Sequence, residues 1–121
     1  MNGFVEPREI PTAERDDIPP APTLFELQTY VRRIKRDRGH ADAAASAVAR
    51  LSEEVDELTA AMAQAGLPSR VCGDDRRAIA FEIADTLIFL LDVATQYGID
   101  VEEALRAKEA VNRQRHCAVS P

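Results

Sequence analysis

Tryptophan is absent from this sequence, glycine and cysteine are scarce, and no long stretch is free of charge. With few glycines and many Leu, Ile, Val and Ala residues, the composition favours helices over strands. The two cysteines, Cys72 and Cys117, make a poor disulfide framework. The polar, proline-rich N-terminus does not read as a signal peptide, so a reducing, cytoplasmic setting is expected. The longest apolar stretch, 78–94, is interrupted by Glu82, Asp85 and Asp92, which argues against a membrane span. A broad basic face is also missing. The formal charge is −6, and the basic residues fall in short clusters, Arg32 to Arg38 and Arg106 to Arg115. That argues against a nucleic-acid polymer as partner. It suits a small anionic ligand bridged to carboxylates by a cation.

What is present amounts to one domain: 121 residues, 45% of them apolar. Residues 1–22 carry Pro7, Pro11, Pro19, Pro20 and Pro22, which excludes regular structure and predicts an arm. A helical domain is expected over 23–116, and 117–121 form a short tail. Thr23 followed by Glu26 fits a capping box, with Leu24, Leu27, Val31 and Ile34 behind it at helical spacing and Gly39 at the end. A second helix is predicted from about Asp42, with an apolar stripe of Ala44, Val48, Leu51, Val55, Leu58 and Met62, stopped by Gly66 and Pro68. Asp74 or Asp75 is placed as the cap of a third helix running to about Tyr97. Asp100, with Glu103 behind it, caps a fourth. The third helix is apolar all round its circumference, which requires cover on every side. Four short helices cannot supply that cover alone. The fold expected is therefore all-α, a four-helix subunit whose bundle is completed by a second copy, as a homodimer or a dimer of dimers.

Two carboxylate pairs interrupt this pattern. Glu54 and Glu57 are three residues apart on the second helix, and Glu82 and Asp85 are three apart on the third. Residues at that spacing share a helix face, roughly 5–6 Å apart at Cβ. If the helices pack antiparallel, all four can converge. A run of acids on an exposed helix is usually a solvated face, which suffices for 53–57 taken alone. It does not suffice for Glu82 and Asp85, because unpaired carboxylates inside an apolar helix cost several kcal/mol unless paired, protonated or metal-bound. Di-iron carboxylate bundles place a histidine three residues after a glutamate, a spacing that neither His40 nor His116 meets. An all-oxygen donor set points to Mg²⁺, with Mn²⁺ as a substitute. On the fourth helix Lys108, Asn112 and Arg115 share one face. Alone that is a surface stripe; beside a metal–carboxylate site these are donors for a polyphosphate chain.

Three segments together resemble a known family. LSEEVDEL (51–58) resembles the EExxE motif of MazG-like nucleotide pyrophosphohydrolases. FEIADTLIFLLDVATQYGID (81–100) resembles their ExxD helix and the turn after it, and KEAVNRQRH (108–116) their terminal K-x3-N-x2-R element. The resemblance spans Thr23 to His116. It implies an all-α fold that dimerises, often further into tetramers, and hydrolysis of a nucleoside triphosphate to monophosphate and pyrophosphate. It assigns Glu54, Glu57, Glu82 and Asp85 as metal ligands, Glu53 as the residue that orients or deprotonates the attacking water, and Lys108, Asn112 and Arg115 as phosphate donors. Many members carry a large aromatic after the glycine that ends the first helix and a tyrosine at the end of the last motif. Here His40 and His116 stand at those places. Arg38 and His40 are accordingly placed near the nucleobase. Nucleotide-pool housecleaning is the role this implies. Two other readings remain open: a phosphoribosyl-ATP pyrophosphohydrolase-like step, and a non-catalytic helical interaction or regulatory dimer, which gives no reason for acids within the third helix.

Overall fold

The computed structural model describes residues 18–39 and 43–119, with side chains through residue 116. His40, Asp42 and most of the expected N-terminal arm lie outside the described residues. Four helices account for nearly all the rest: α1 (Leu24–Asp37), α2 (Ala44–Ala65), α3 (Gly73–Gln96) and α4 (Val101–Val119), with a 3-10 turn at Pro68–Arg70. Among the described residues there is no strand, and the chain is all-α as expected. No described helix is long and apolar enough to cross a membrane.

The helix boundaries follow local chemistry. Thr23 and Glu26 form the expected reciprocal cap: the Glu26 N–H donates to Thr23 Oγ1 at 3.0 Å, and the Thr23 N–H donates to Glu26 Oε1 at 2.8 Å. At the start of α4 the Glu103 N–H donates to Asp100 Oδ1 at 3.1 Å. Gly66 ends α2 at φ +88°, a left-handed conformation costly for any side chain with a Cβ. The start of α3 differs from expectation. Cys72 is its N-cap, without a side-chain bond, and Asp74 and Asp75 sit inside the first turn. There they still favour the positive end of the helix dipole. The last helix also runs past His116, to Val119.

Antiparallel packing of α2 on α3 is the dominant contact. Glu54 faces Glu82 and Asp85, while Arg50, one turn earlier on α2, lies over the ring of Phe89, one turn later on α3. α1 lies against α3, also antiparallel, with Gln28 near Thr95 and Lys35 near Asp92. α4 packs within the chain mainly on α1 and touches α2 and α3 little. The fully buried positions are few: Val31, Ala47 and Leu91, joined by the polar Gln28, Lys35 and Asp92. The predicted apolar stripe of α2 divides into two lines. Ala44, Leu51 and Leu58 are half-buried, whereas Val48, Val55 and Met62 remain exposed. On α3, Ile83, Leu87 and Leu90 form an exposed stripe, with Ile83 at 52% and Leu90 at 49% of full exposure.

Gln28 sets where α4 begins. Its amide N–H donates to the Ile99 carbonyl at 2.7 Å, and its amide oxygen accepts the Val101 N–H at 3.0 Å. One buried side chain thus satisfies both the carbonyl that ends the turn and an otherwise orphaned N–H of the new helix. Gln28→Ala leaves both groups without that partner, at a cost of about 1–3 kcal/mol. A fall in the urea midpoint at fixed protein concentration is the expected result, with Gln28→Glu, which keeps the acceptor and loses the donor, no better than the alanine.

Candidate metal centre

Glu54 stands in the middle of α2, where the helix turns its packed line toward α3. Glu82 and Asp85, one turn apart on α3, meet it. One carboxylate oxygen from each of the three lies within 4.8 Å of the others. Glu54 and Glu82 are half-buried and Asp85 is exposed, so the cluster is walled on one side and open on the other. Glu54 Oε2 and Glu82 Oε1 are shielded from solvent, and no donor reaches either. Buried acceptors of this kind cost free energy unless something fills them. A proton held between the two carboxyls can do so, and so can a cation.

The electrostatics carry the same message. Burial, a hydrogen bond with Glu82, and the charges of Glu57, Asp85 and Glu82 push the Glu54 carboxyl up to about 7. With no metal bound, ionising Glu54 is opposed up to near neutral pH. A hard divalent cation fits the donor set, which consists of oxygen atoms alone and includes two shielded ones without partners. Glu57 is exposed one turn along α2, near enough to raise Glu54 by its charge but outside the group of converging oxygens. Glu53 is exposed beside them on the same helix.

The remaining candidates lie elsewhere. Lys108, Asn112 and Arg115 are exposed on α4, and among the described residues none of them bonds to the carboxylates of its own chain. Arg38 is exposed at the C-cap of α1, and His40 is not among the described residues. A buried pair went unnoticed in the sequence. Lys35 and Asp92 approach to 3.7 Å with side chains only 9% and 4% exposed, and the Lys35 ammonium lies 4.3 Å from the centre of the Phe89 ring. Lys35 had been counted only as part of a basic cluster. Its helical phase was the available signal, since Gln28 and Lys35 fall on the same line as the apolar Val31.

Residues 43–119 match the MazG nucleotide pyrophosphohydrolase domain. This stretch holds Glu54, Glu82, Asp85 and all of α4. The chain belongs to the MazG nucleotide pyrophosphohydrolase family. It is also similar to a dATP/dGTP diphosphohydrolase of Cyanophage S-2L, with 37% identity over 93 residues that cover 77% of this chain and 72% of that protein. The protein is therefore a nucleoside triphosphate pyrophosphohydrolase, a hydrolase with a nucleotide substrate, and the non-catalytic reading is set aside. The carboxylate cluster is compatible with the divalent metal that MazG-type enzymes generally use.

The raised Glu54 carboxyl links pH to stability. In the unfolded chain it ionises near 4.5; in the metal-free fold it holds its proton to about 7. The folded state therefore binds more protons across that window, and stability is lost as pH rises through it. The melting temperature of metal-free protein should fall between pH 4.5 and 7 and then level, and Glu54→Gln should flatten the slope. Because the metal competes with the proton, divalent-cation affinity should rise over the same interval. A wild-type slope unchanged by Glu54→Gln would place the titrating group elsewhere.

Proposed function

We propose that this chain hydrolyses a deoxynucleoside triphosphate to the monophosphate and pyrophosphate with Mg²⁺, or Mn²⁺ in its place, held by Glu54, Glu82 and Asp85, with Glu57 as an outer ligand. The convergence of three carboxylates from α2 and α3 on one point carries this reading. A bound divalent cation supplies charge neutralisation for the phosphates and lowers the pKa of a bound water. The reaction adds water to the α-phosphorus and breaks the bond to the bridging α–β oxygen, so that pyrophosphate leaves. Glu53, exposed beside Glu54, takes the proton of the attacking water. Lys108, Asn112 and Arg115 hold the phosphate chain and offset its charge. His40 and Arg38 lie toward the base. The similarity to a dATP/dGTP diphosphohydrolase supports purine deoxynucleotides as substrates; a cytoplasmic housecleaning role in the nucleotide pool is part of the same reading.

The working unit in this reading is a homodimer or a dimer of dimers. Two observations support it. Ile83, Leu87 and Leu90 expose a long apolar stripe, and beside it opens an apolar groove of about 620 Å³ lined by Leu58, Met62, Ile79 and Ile83 among others. The second is the position of α4, which carries the proposed phosphate donors yet packs mainly on α1 and touches α2 and α3, the helices of the carboxylates, little. Its donors then serve the site of the neighbouring copy.

Glu82→Gln should abolish pyrophosphate release, because it removes both a ligand charge and an oxygen facing the metal. Arg115→Ala should slow hydrolysis of every triphosphate alike. If α4 acts in trans, refolding the two weak variants together should restore roughly a quarter of wild-type activity, since half the dimers are mixed and each has one intact site. No recovery in verified mixed dimers would place α4 with its own chain's carboxylates.

A further inference from the structure

The basic run on α1 has no part in the carboxylate site, yet the fold gives it a place. Phe25, Thr29, Arg32 and Arg36 recur at steps of four, three and four residues, so they form one line along the helix. A cleft of about 430 Å³ opens between this line and the turn that joins α3 to α4, with Phe25, Arg32 and Arg36 on one side and Gly98, Ile99 and Asp100 on the other. Its volume is that of a small-ligand site. The cleft is remote from the metal centre: Thr95, in its wall, lies roughly 15 Å beyond Asp85 along α3 at about 1.5 Å per residue. Its charge is unbalanced. Among the described residues no acid pairs with Arg32 or Arg36. The acids of α1 are Glu26, bound to Thr23 in the cap, and Asp37, and neither is three or four residues from either arginine. The neighbours at those spacings include Lys35, Arg33 and each other, and like charges one turn apart destabilise a helix. At the other end of the line the Phe25 ring is 60% exposed. Paired cations and a bare ring in one cleft are poorly explained by the fold and well explained by a ligand.

We propose that this cleft is a second nucleotide site, separate from the carboxylates, which holds a nucleoside monophosphate with its phosphate on Arg32 and Arg36 and its base on Phe25. Guanidinium forks match the oxygens of a phosphate, and two of them one turn apart suit a single phosphate. An exposed aromatic ring offers a stacking surface to any base. The spacing joins the two: Phe25 and Arg32 stand roughly 10 Å apart along the helix, a span that base and sugar cover to reach a 5′-phosphate. Asp100 sets the direction. The bonds of Gln28 to Ile99 and Val101 place Asp100 at the level of Gln28, roughly 6 Å short of Arg32 and 12 Å short of Arg36 along α1. There its carboxylate, which already caps α4 through the Glu103 N–H, repels a phosphate but accepts from a base amino group or a sugar hydroxyl. A bare anion would leave the aromatic end unused, and a nucleic-acid strand needs a longer basic track than this cleft offers.

The test is equilibrium binding of dGMP to the full chain in EDTA, where no metal at the carboxylates can hold a phosphate. One dGMP should bind per chain, about tenfold more tightly than either deoxyguanosine or inorganic phosphate, because each of those engages one end of the cleft only. The double variant Arg32→Gln with Arg36→Gln should weaken dGMP about tenfold and leave deoxyguanosine within about twofold of wild type. Phe25→Ala should weaken dGMP and deoxyguanosine alike, by about fivefold, and leave inorganic phosphate unchanged. All three side chains are exposed, so these variants should keep the wild-type melting temperature. Arg115→Ala, which touches the proposed phosphate donors of α4, should leave dGMP binding in EDTA as it is. Absence of dGMP binding would overturn the proposal, and so would equal affinity for dGMP and inorganic phosphate. Binding that survives the double variant and is lost with Arg115→Ala would overturn it too, and would place the ligand on α4. The catalytic reading stands or falls separately: if dGMP binds as expected and no triphosphate is hydrolysed, that reading fails and the cleft stands.

Discussion

Repulsion among Glu54, Glu82 and Asp85 is the constraint around which the rest of the structure is arranged. Bringing three carboxylate oxygens within 4.8 Å is unfavourable without a counterion, and the displacement of the Glu54 carboxyl to about 7 registers that cost. The helices must therefore be held in register by something else. The packing of α2 along α3, with Leu58 beside Ile79 and Ile83, does part of this. The short connection from Gly66 through the 3-10 turn to Gly73 does the rest, because it leaves little freedom to slide. A slip of one turn moves α2 by about 5.4 Å and parts the three carboxylates. The α2–α3 pair is thus the element on which the carboxylate cluster is built, at the expense of local stability.

The second layer of organisation is polar. α1 is located by two buried polar contacts, Gln28 on the α3–α4 turn and Lys35 beside Asp92, with Val31 and Leu91 packed between. Apolar side chains alone would let α1 rotate or slide with little penalty, since one apolar contact replaces another. Gln28 tolerates no such slip. Its donor and acceptor must meet Ile99 and Val101 together, and a buried amide left unpaired costs about 1–3 kcal/mol. Through Gln28 the position of α1 also fixes the start of α4, so that helix is oriented from the end opposite to its proposed phosphate donors.

Most of this scaffold was legible in the sequence because it rests on local rules. The Thr23–Glu26 box and the Asp100 cap depend on residues three apart, and both form. Glu82 and Asp85 stood out because acids inside an apolar helix demand a reason, and the structure brings both to Glu54. Glu57 is grouped with them by spacing and by the EExxE resemblance; its side chain is exposed one turn along α2, outside the three converging oxygens. The division of the α2 stripe was hidden for a related reason. Helical periodicity says which residues share a face but not which neighbour meets it, so Val48 and Leu51 look alike in sequence and differ in exposure. Lys35 and Asp92 were hidden because their partnership joins residues far apart in the chain. The start of α3 shifted because a loop ending in glycine allows the helix to begin before its first acid.

The two halves of the proposed site differ in what they need from a partner. The proposed metal ligands all lie on α2 and α3, so this half asks nothing of a second copy. The phosphate half lies on α4, which is exposed through Leu105 and Val111 and little supported by its own chain. A domain of this size buries too little surface to cover four helices by itself. The apolar stripe left on α3 is the consequence, and in the proposed dimer a second copy covers it and supplies another α4. Assembly on this arrangement does more than add stability. An isolated chain would hold the cation and leave the phosphate chain without its donors, so the triphosphate would be bound but poorly oriented, and the loss would fall on the transition state, where orientation and charge offset matter most. If the site is shared between copies in this way, activity becomes conditional on the same contact that buries the apolar face.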